Sequence, residues 1–198
     1  DVVNPATEQV IAKVKEGTLA EVDAAMDAAH TAFKGVWANT TPMERGNCLN
    51  RLADLLEKHL EELAQLETLC SGKTIQLSRF LEVGSSAQFL RYFAGWATKI
   101  SGETLNVSLP SFNGEKYSAF TQREPVGVVA GIIPWNFSIM ISIWKLAAAL
   151  TCGCTIVLKP SEFTPLTMLR VVELAKEAGV PDGVINIVNG GGREVGPA

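Results

Sequence analysis

The sequence predicts an α/β fold: a parallel β-sheet preceded by a layer of helices, with a β-hairpin inserted between the two. Three observations predict it. The first hundred residues carry helix caps and apolar side chains at helical spacing. Gly102 to Glu124 holds two short β-prone runs across a polar turn. Val126 to Val188 alternates uncharged β-branched runs with helical segments, the pattern of strands buried on both faces.

Asn4-Pro5-Ala6-Thr7 is a turn signal ahead of Val10-Ile11-Ala12-Lys13-Val14, a β-branched stretch suited to an edge hairpin. Thr18-Leu19-Ala20-Glu21 is a capping box. Val22, Met26, Ala29 and Phe33 follow it at helical spacing, so a helix is predicted to about Lys34. Thr41 as cap, Pro42 at the first helical position and Glu44 three residues after the cap open a second helix. Leu49, Leu52, Leu56, Leu60 and Leu63 form the apolar stripe of this region, with Arg51, Glu57, Lys58, Glu61 and Glu62 as a solvated face. Cys70-Ser71-Gly72-Lys73 ends the pattern. A further helix is predicted from about Leu77 to Lys99, with Phe80, Phe89, Phe93 and Trp96 buried as core.

Thr104–Val107 and Tyr117–Thr121 read as the hairpin strands. With little core to cover it, this hairpin is expected to pack on another subunit. Val126–Ile133 is the strongest strand signal. Pro134 stops it, and a helix from about Ser138 to Thr151 follows, ending at Gly153. Thr155–Leu158 is the next strand. Thr164 is expected to cap the following helix, which Ala178-Gly179-Val180-Pro181 closes. Val184–Val188 is the third strand, leading into Gly190-Gly191-Gly192. The expected division is 1–101 for the amino-terminal hairpin and helices, 102–124 for the inserted hairpin and 125–198 for a Rossmann-like β-α-β-α-β core.

Composition excludes several classes of function. Lys and Arg total 17 against 21 Asp and Glu, a net charge of −4, so there is no basic footprint for nucleic acid. Val126 to Leu158 is long and apolar, but Pro134, Asn136, Lys145 and Gly153 interrupt it, which argues against a membrane span. No signal-peptide pattern is visible, and the reducing cytoplasm is the expected compartment. Cys152-Gly153-Cys154 lacks the second cysteine pair a metal site needs, so no metal is expected, and all four cysteines are read as buried small hydrophobes.

Parallel strands joined by right-handed crossovers bring the loops at their carboxyl ends to one sheet edge, where such sheets bind ligands. Those loops hold Pro134-Trp135-Asn136-Phe137, Lys159-Pro160-Ser161-Glu162 and Gly190-Gly191-Gly192. A carboxylate at Glu162 can accept hydrogen bonds from ribose hydroxyls and repels a 2′-phosphate, with Lys159 as a cationic donor beside it. A helix-start acid and a surface lysine explain the same pair equally well. Gly190, Gly192 and Gly196 do not spell GxGxxG and follow the third strand rather than the first, so they are the weaker signal. Asn136 is the most informative residue: an amide at a strand mouth can donate to a developing oxyanion, or simply satisfy loop backbone.

Pro134-Trp135-Asn136-Phe137 followed by Lys159-Pro160-Ser161-Glu162-Phe163-Thr164-Pro165 resembles the aldehyde dehydrogenase superfamily. Asn4-Pro5-Ala6-Thr7, Gly72-Lys73, Arg123-Glu124-Pro125-Val126-Gly127-Val128 and Gly179-Val180-Pro181-Asp182-Gly183-Val184 extend the resemblance over essentially all 198 residues. It implies oxidation of an aldehyde to a carboxylic acid with NAD, NADP being disfavoured by Glu162. In that family a cysteine thiolate attacks the aldehyde and a glutamate activates the hydrolytic water. The resemblance makes Asn136 the oxyanion donor and catalytic residue, and also one of the cofactor-binding residues. It makes Lys159 and Glu162 the pair holding the adenosine ribose, with Ser161 in their loop. Ile132, Ile133, Pro134 and Trp135 become the strand end along the cofactor, and Gly192 and Gly196 glycines near the adenine. The family's nucleophile and base belong to motifs past residue 198, and none of the four cysteines here matches. The resemblance is to less than half of a homo-oligomeric enzyme, closest to those acting on phenylacetaldehyde or betaine aldehyde. The alternatives are a coenzyme A-acylating member and a non-catalytic binding or assembly module.

Overall fold

A computed structural model describes residues 1–196. β1 (Val2–Asn4) and β2 (Gln9–Ala12) form the expected antiparallel edge hairpin, its turn closed by Asn4 Oδ1, which accepts from the Ala6 N–H at 2.9 Å. The helical layer follows. α1 spans Leu19–Lys34 and α2 spans Pro42–Lys58; each begins with the reciprocal capping box read from the sequence, at Thr18/Glu21 and Thr41/Glu44. The stripe from Leu49 to Leu63 is split between two helices, because the chain breaks at His59 before α3 (Leu60–Ser71). Gly72, at φ 73°, ends α3 in the left-handed conformation, and a Cβ there would meet the ring of Pro5 at 2.7 Å. Glycine is therefore required twice over, by backbone and by packing.

Thr41→Ala tests the clearest local signal. Thr41 Oγ1 accepts from the Glu44 N–H, and losing that cap is expected to cost about 1 kcal/mol. Urea denaturation that shows no difference from wild type removes the cap from the account of stability.

The next helical stretch departs from expectation. Three elements replace one regular helix over 77–99: α4 (Ile75–Leu77), a π-helical segment (Ser78–Gly84) and α5 (Ser85–Trp96). Within it Glu82 is fully buried, while Phe80 is 76% and Trp96 45% exposed, so two of the four aromatic residues expected in the core lie at the surface. Phe89 and Phe93 pack partly buried against the core. Polar partners for Glu82, described below, set this orientation over hydrophobic spacing.

β3 (Thr104–Leu105) and β4 (Ala119–Phe120) pair antiparallel, a shorter version of the expected hairpin. β5 (Val128–Ile132), α6 (Ser138–Thr151), β6 (Thr155–Lys159), α7 (Leu166–Glu177) and β7 (Ile185–Ile187) then give a wholly parallel sheet, in the order β5-β6-β7. Side-chain alternation sorts its two faces. Val157 and Val188 meet Ala29 of α1 on one side. Ile156 and Leu158 face the larger core, built with Ile139, Ile143 and Leu146 of α6, Met168 and Val171 of α7, and Leu49, Leu52 and Leu56 of α2 behind them. Helices thus cover both sheet faces, which explains the uncharged strands. No helix among the described residues is long and apolar enough to cross a membrane.

Two local expectations fail. Pro165, not Thr164, occupies the cap position of α7, and the Thr164 hydroxyl is buried without a hydrogen-bond partner. Cys152 is exposed, whereas Cys48, Cys70 and Cys154 are buried as expected; all four are free thiols.

Candidate functional site

The parallel register places the three loops side by side. Ile132, the last residue of β5, pairs with Lys159, the last of β6, and Leu158 pairs with Ile187, the last of β7. The chains leaving those positions carry Pro134-Trp135-Asn136, Ser161-Glu162 and Gly190 to Gly196. Every predicted site residue therefore falls on the carboxyl edge of one sheet.

Their surroundings differ. Ile133 is buried and donates its N–H to the Lys159 carbonyl at 3.0 Å, anchoring the first loop to the second. Ile132 (63%) and Trp135 (58%) are exposed apolar surface beside it, and Pro134 and Asn136 are also exposed. The Lys159 ammonium donates to the Pro160 carbonyl at 3.1 Å and lies 3.7 Å from the Glu162 carboxylate. Lys159 is mostly buried, while Glu162 stands open to solvent with room to accept from a ligand. Ser161 is buried, and its hydroxyl accepts from the Phe163 N–H at 3.3 Å. Glu162 borders a cleft of about 110 Å³ together with Val14, Asn189 and Gly190. Asn189 Oδ1 is buried without a partner in that same cleft. A solvent-open acceptor carboxylate at the rim of this cleft fits the hydroxyl groups of a ribose. Gly192 is exposed and a Cβ there would meet nothing, whereas one at Gly196 would run into the Gly192 carbonyl. Gly196 is fixed by its own turn; Gly192 is left open to close approach.

A larger cavity, about 500 Å³, lies away from these loops along the open side of β5, between Pro125, Val129, Lys145 and Cys152. Cys48, Cys70 and Cys152 are not activated nucleophiles. Burial and the nearby Glu67 carboxylate push Cys70 up to about 12, burial raises Cys48, and partial desolvation of the otherwise exposed Cys152 raises it too.

Sequence reasoning missed the polar cluster beneath the first loop. The Lys73 ammonium donates to Glu67 Oε1 at 3.2 Å, to Glu82 Oε1, and to the main-chain carbonyl of Asn136 at 2.7 Å. It also lies 4.9 Å from the centre of the Phe137 ring. The other Glu82 oxygen accepts from the Met140 N–H at 3.0 Å, and Glu67 accepts from the Ser138 and Thr167 hydroxyls at 2.7–2.8 Å. Both carboxylates are fully buried. Phe137, at the cap position of α6, offers no side-chain cap, so Glu82 satisfies a free amide of that helix from a distant element. The missing cap ahead of α6 was the one signal in the sequence that pointed to such a partner.

An open parallel sheet covered on both faces, with its polar loops gathered at the carboxyl edge, is the ligand-binding class of α/β protein. The chain belongs to the aldehyde dehydrogenase family, whose model matches residues 1–198. It is 53% identical over 199 residues to phenylacetaldehyde dehydrogenase of Pseudomonas fluorescens, covering all of this chain and 40% of that protein. The NAD+ complex of an aldehyde dehydrogenase from Bacillus cereus superimposes with a TM-score of 0.94 at 49% identity, covering 99% of this chain and 39% of that one. Betaine aldehyde dehydrogenase of Staphylococcus aureus, solved with NAD+, gives a TM-score of 0.92 at 42% identity, covering 99% and 39%. The chain spans 22–40% of the length of the curated relatives it matches.

Proposed function

We propose that this chain is the amino-terminal, cofactor-binding part of a cytoplasmic, homo-oligomeric aldehyde dehydrogenase that oxidises an aldehyde to its carboxylic acid with NAD+. The observation that carries the reading is the convergence of Asn136, Lys159 and Glu162 on one sheet edge. Relatives solved with NAD+ and the 53% identity to a phenylacetaldehyde dehydrogenase favour NAD and an arylacetaldehyde. When bound, NAD+ supplies the hydride acceptor. Glu162 accepts from the adenosine ribose hydroxyls, Lys159 donates beside it, and Ser161 shapes their turn. Ile132, Ile133, Pro134 and Trp135 form an apolar wall along the cofactor, with Gly192 and Gly196 near its adenine end. Asn136 donates its amide to the oxyanion formed when a thiolate from outside these residues adds to the aldehyde.

Residues 1–101 and 125–198 build the cofactor domain together, and 102–124 is its oligomerisation arm. Phe112 and Phe120 of that arm are strongly exposed, which supports its burial against another subunit.

Glu162→Ser in the full-length enzyme tests the cofactor assignment. Removing a carboxylate that repels a 2′-phosphate is expected to raise KM for NAD+ and lower it for NADP+. Unchanged constants for both nucleotides would remove Glu162 from the ribose site.

A further inference from the structure

Lys73 has three donors, and all three are used: one each for α3, the π-helical segment and the loop between β5 and α6. The Lys73 side chain is mostly buried, and its ammonium lies 4.9 Å from the centre of the Phe137 ring. The third bond goes to the main-chain carbonyl of Asn136 itself. On the far side, Glu82 holds the Met140 N–H and Glu67 holds the Ser138 hydroxyl. The peptide of Asn136 and the first turn of α6 are thus gripped at three successive points, at residues 136, 138 and 140. Among the described residues Asn136 has no other restraint of this kind: its side chain is at the surface, and no side-chain cap fixes the loop's entry into the helix.

We infer that Lys73, held by Glu67 and Glu82, is a positioning residue that fixes the Asn136 peptide so that its side-chain amide is preorganised for the reaction. The inference rests on the reading of Asn136 as an oxyanion donor. In this role Lys73 acts through Asn136, whose main-chain carbonyl it holds. A donor aimed before the reaction begins contributes far more than one that must be oriented during it.

The test is a mutant cycle in the full-length enzyme, with phenylacetaldehyde and NAD+ as substrates. Lys73→Met removes the bond to the Asn136 carbonyl, and combining it with Glu82→Gln keeps the cluster's net charge unchanged while leaving an oxygen for Met140. This paired variant is expected to lower kcat by roughly 10- to 100-fold, the scale of a small misplacement of a catalytic group, with KM for NAD+ within about two-fold of wild type. In an Asn136→Ala background the same pair of changes is expected to have no further effect on kcat, because the group it positions is gone. Equal losses in both backgrounds, or no loss in either while Asn136→Ala remains slow, overturn the positioning role and leave the oxyanion reading intact. Full activity of Asn136→Ala overturns the oxyanion reading, and the positioning role falls with it. If the paired variant is poorly folded, Lys73→Arg gives the same comparison: it keeps the charge but not the single-point geometry of the ammonium. A loss of kcat confined to the Asn136 background supports the role, and any other pattern overturns it.

Discussion

Replacing Lys73 alone with methionine is expected to remove about 3–5 kcal/mol of unfolding free energy. Lys73 is the cation that faces Glu67 and Glu82, and both carboxylates are fully buried. The substitution leaves their hydrogen bonds to Ser138, Thr167 and Met140 but removes the opposing charge. Burial and the neighbouring Glu67 already push the Glu82 carboxyl above the ordinary carboxylate range; only Lys73 and the Met140 N–H pull it down. Without Lys73 the folded-state value rises further above the unfolded one. A carboxyl raised in the folded state costs nothing at pH values below its unfolded value of about 4.3, where both states are protonated. The cost grows as pH rises from that value towards the raised folded value and levels off above it, because between the two the unfolded chain has released a proton that the folded chain retains. The difference between Lys73→Met and wild type is therefore expected to shrink as pH is lowered from about 8 towards about 5. Urea denaturation across that range checks it: a difference independent of pH would mean that Lys73 matters through packing and not through charge.

The cluster also shows what was legible in the sequence and what was not. The capping boxes at Thr18 and Thr41 and the glycine at position 72 were readable because each signal and its consequence lie within a few residues. β5 and β6 were readable because only strands covered on both faces tolerate such uncharged runs, and parallel topology then fixed which loops meet. Glu67, Lys73, Glu82, Ser138 and Thr167 are scattered over a hundred residues on four helical elements and one loop, and no periodicity links them. The same non-local demand explains the errors nearby. Glu82 must face inward to meet Lys73 and Met140, which a π-helical segment allows and regular apolar spacing does not anticipate; Phe80 is left at the surface. Thr164 reads as a cap in isolation, but the first turn of α7 is tied instead through Thr167 to Glu67. Asn189 was invisible for another reason: an asparagine after a strand is ordinary loop chemistry until its buried, unpaired oxygen is seen beside Glu162.

Asn136→Ala is the substitution expected to cost most in catalysis, a fall of roughly 10²–10³ in kcat, or about 2.7–4 kcal/mol of transition-state stabilisation. The size follows from what the amide faces. In the ground state an aldehyde oxygen carries only a partial charge and gains little from one more donor. In the transition state for thiolate addition the oxygen becomes an alkoxide, and a donor already in place stabilises it without reorganisation. The loss therefore belongs in kcat, with KM for the aldehyde nearly unchanged. The fold should tolerate the change: Asn136 is exposed at the loop tip, and the bond from Lys73 is made to its main-chain carbonyl, which alanine keeps. NAD+ affinity should be preserved as well, since Lys159 and Glu162 leave the neighbouring strand end. Rapid-mixing measurement of NADH formation in the first turnover isolates the step at issue. A first-turnover rate equal to wild type, with slower steady-state turnover, would move Asn136 out of the addition step and into thioester hydrolysis or product release.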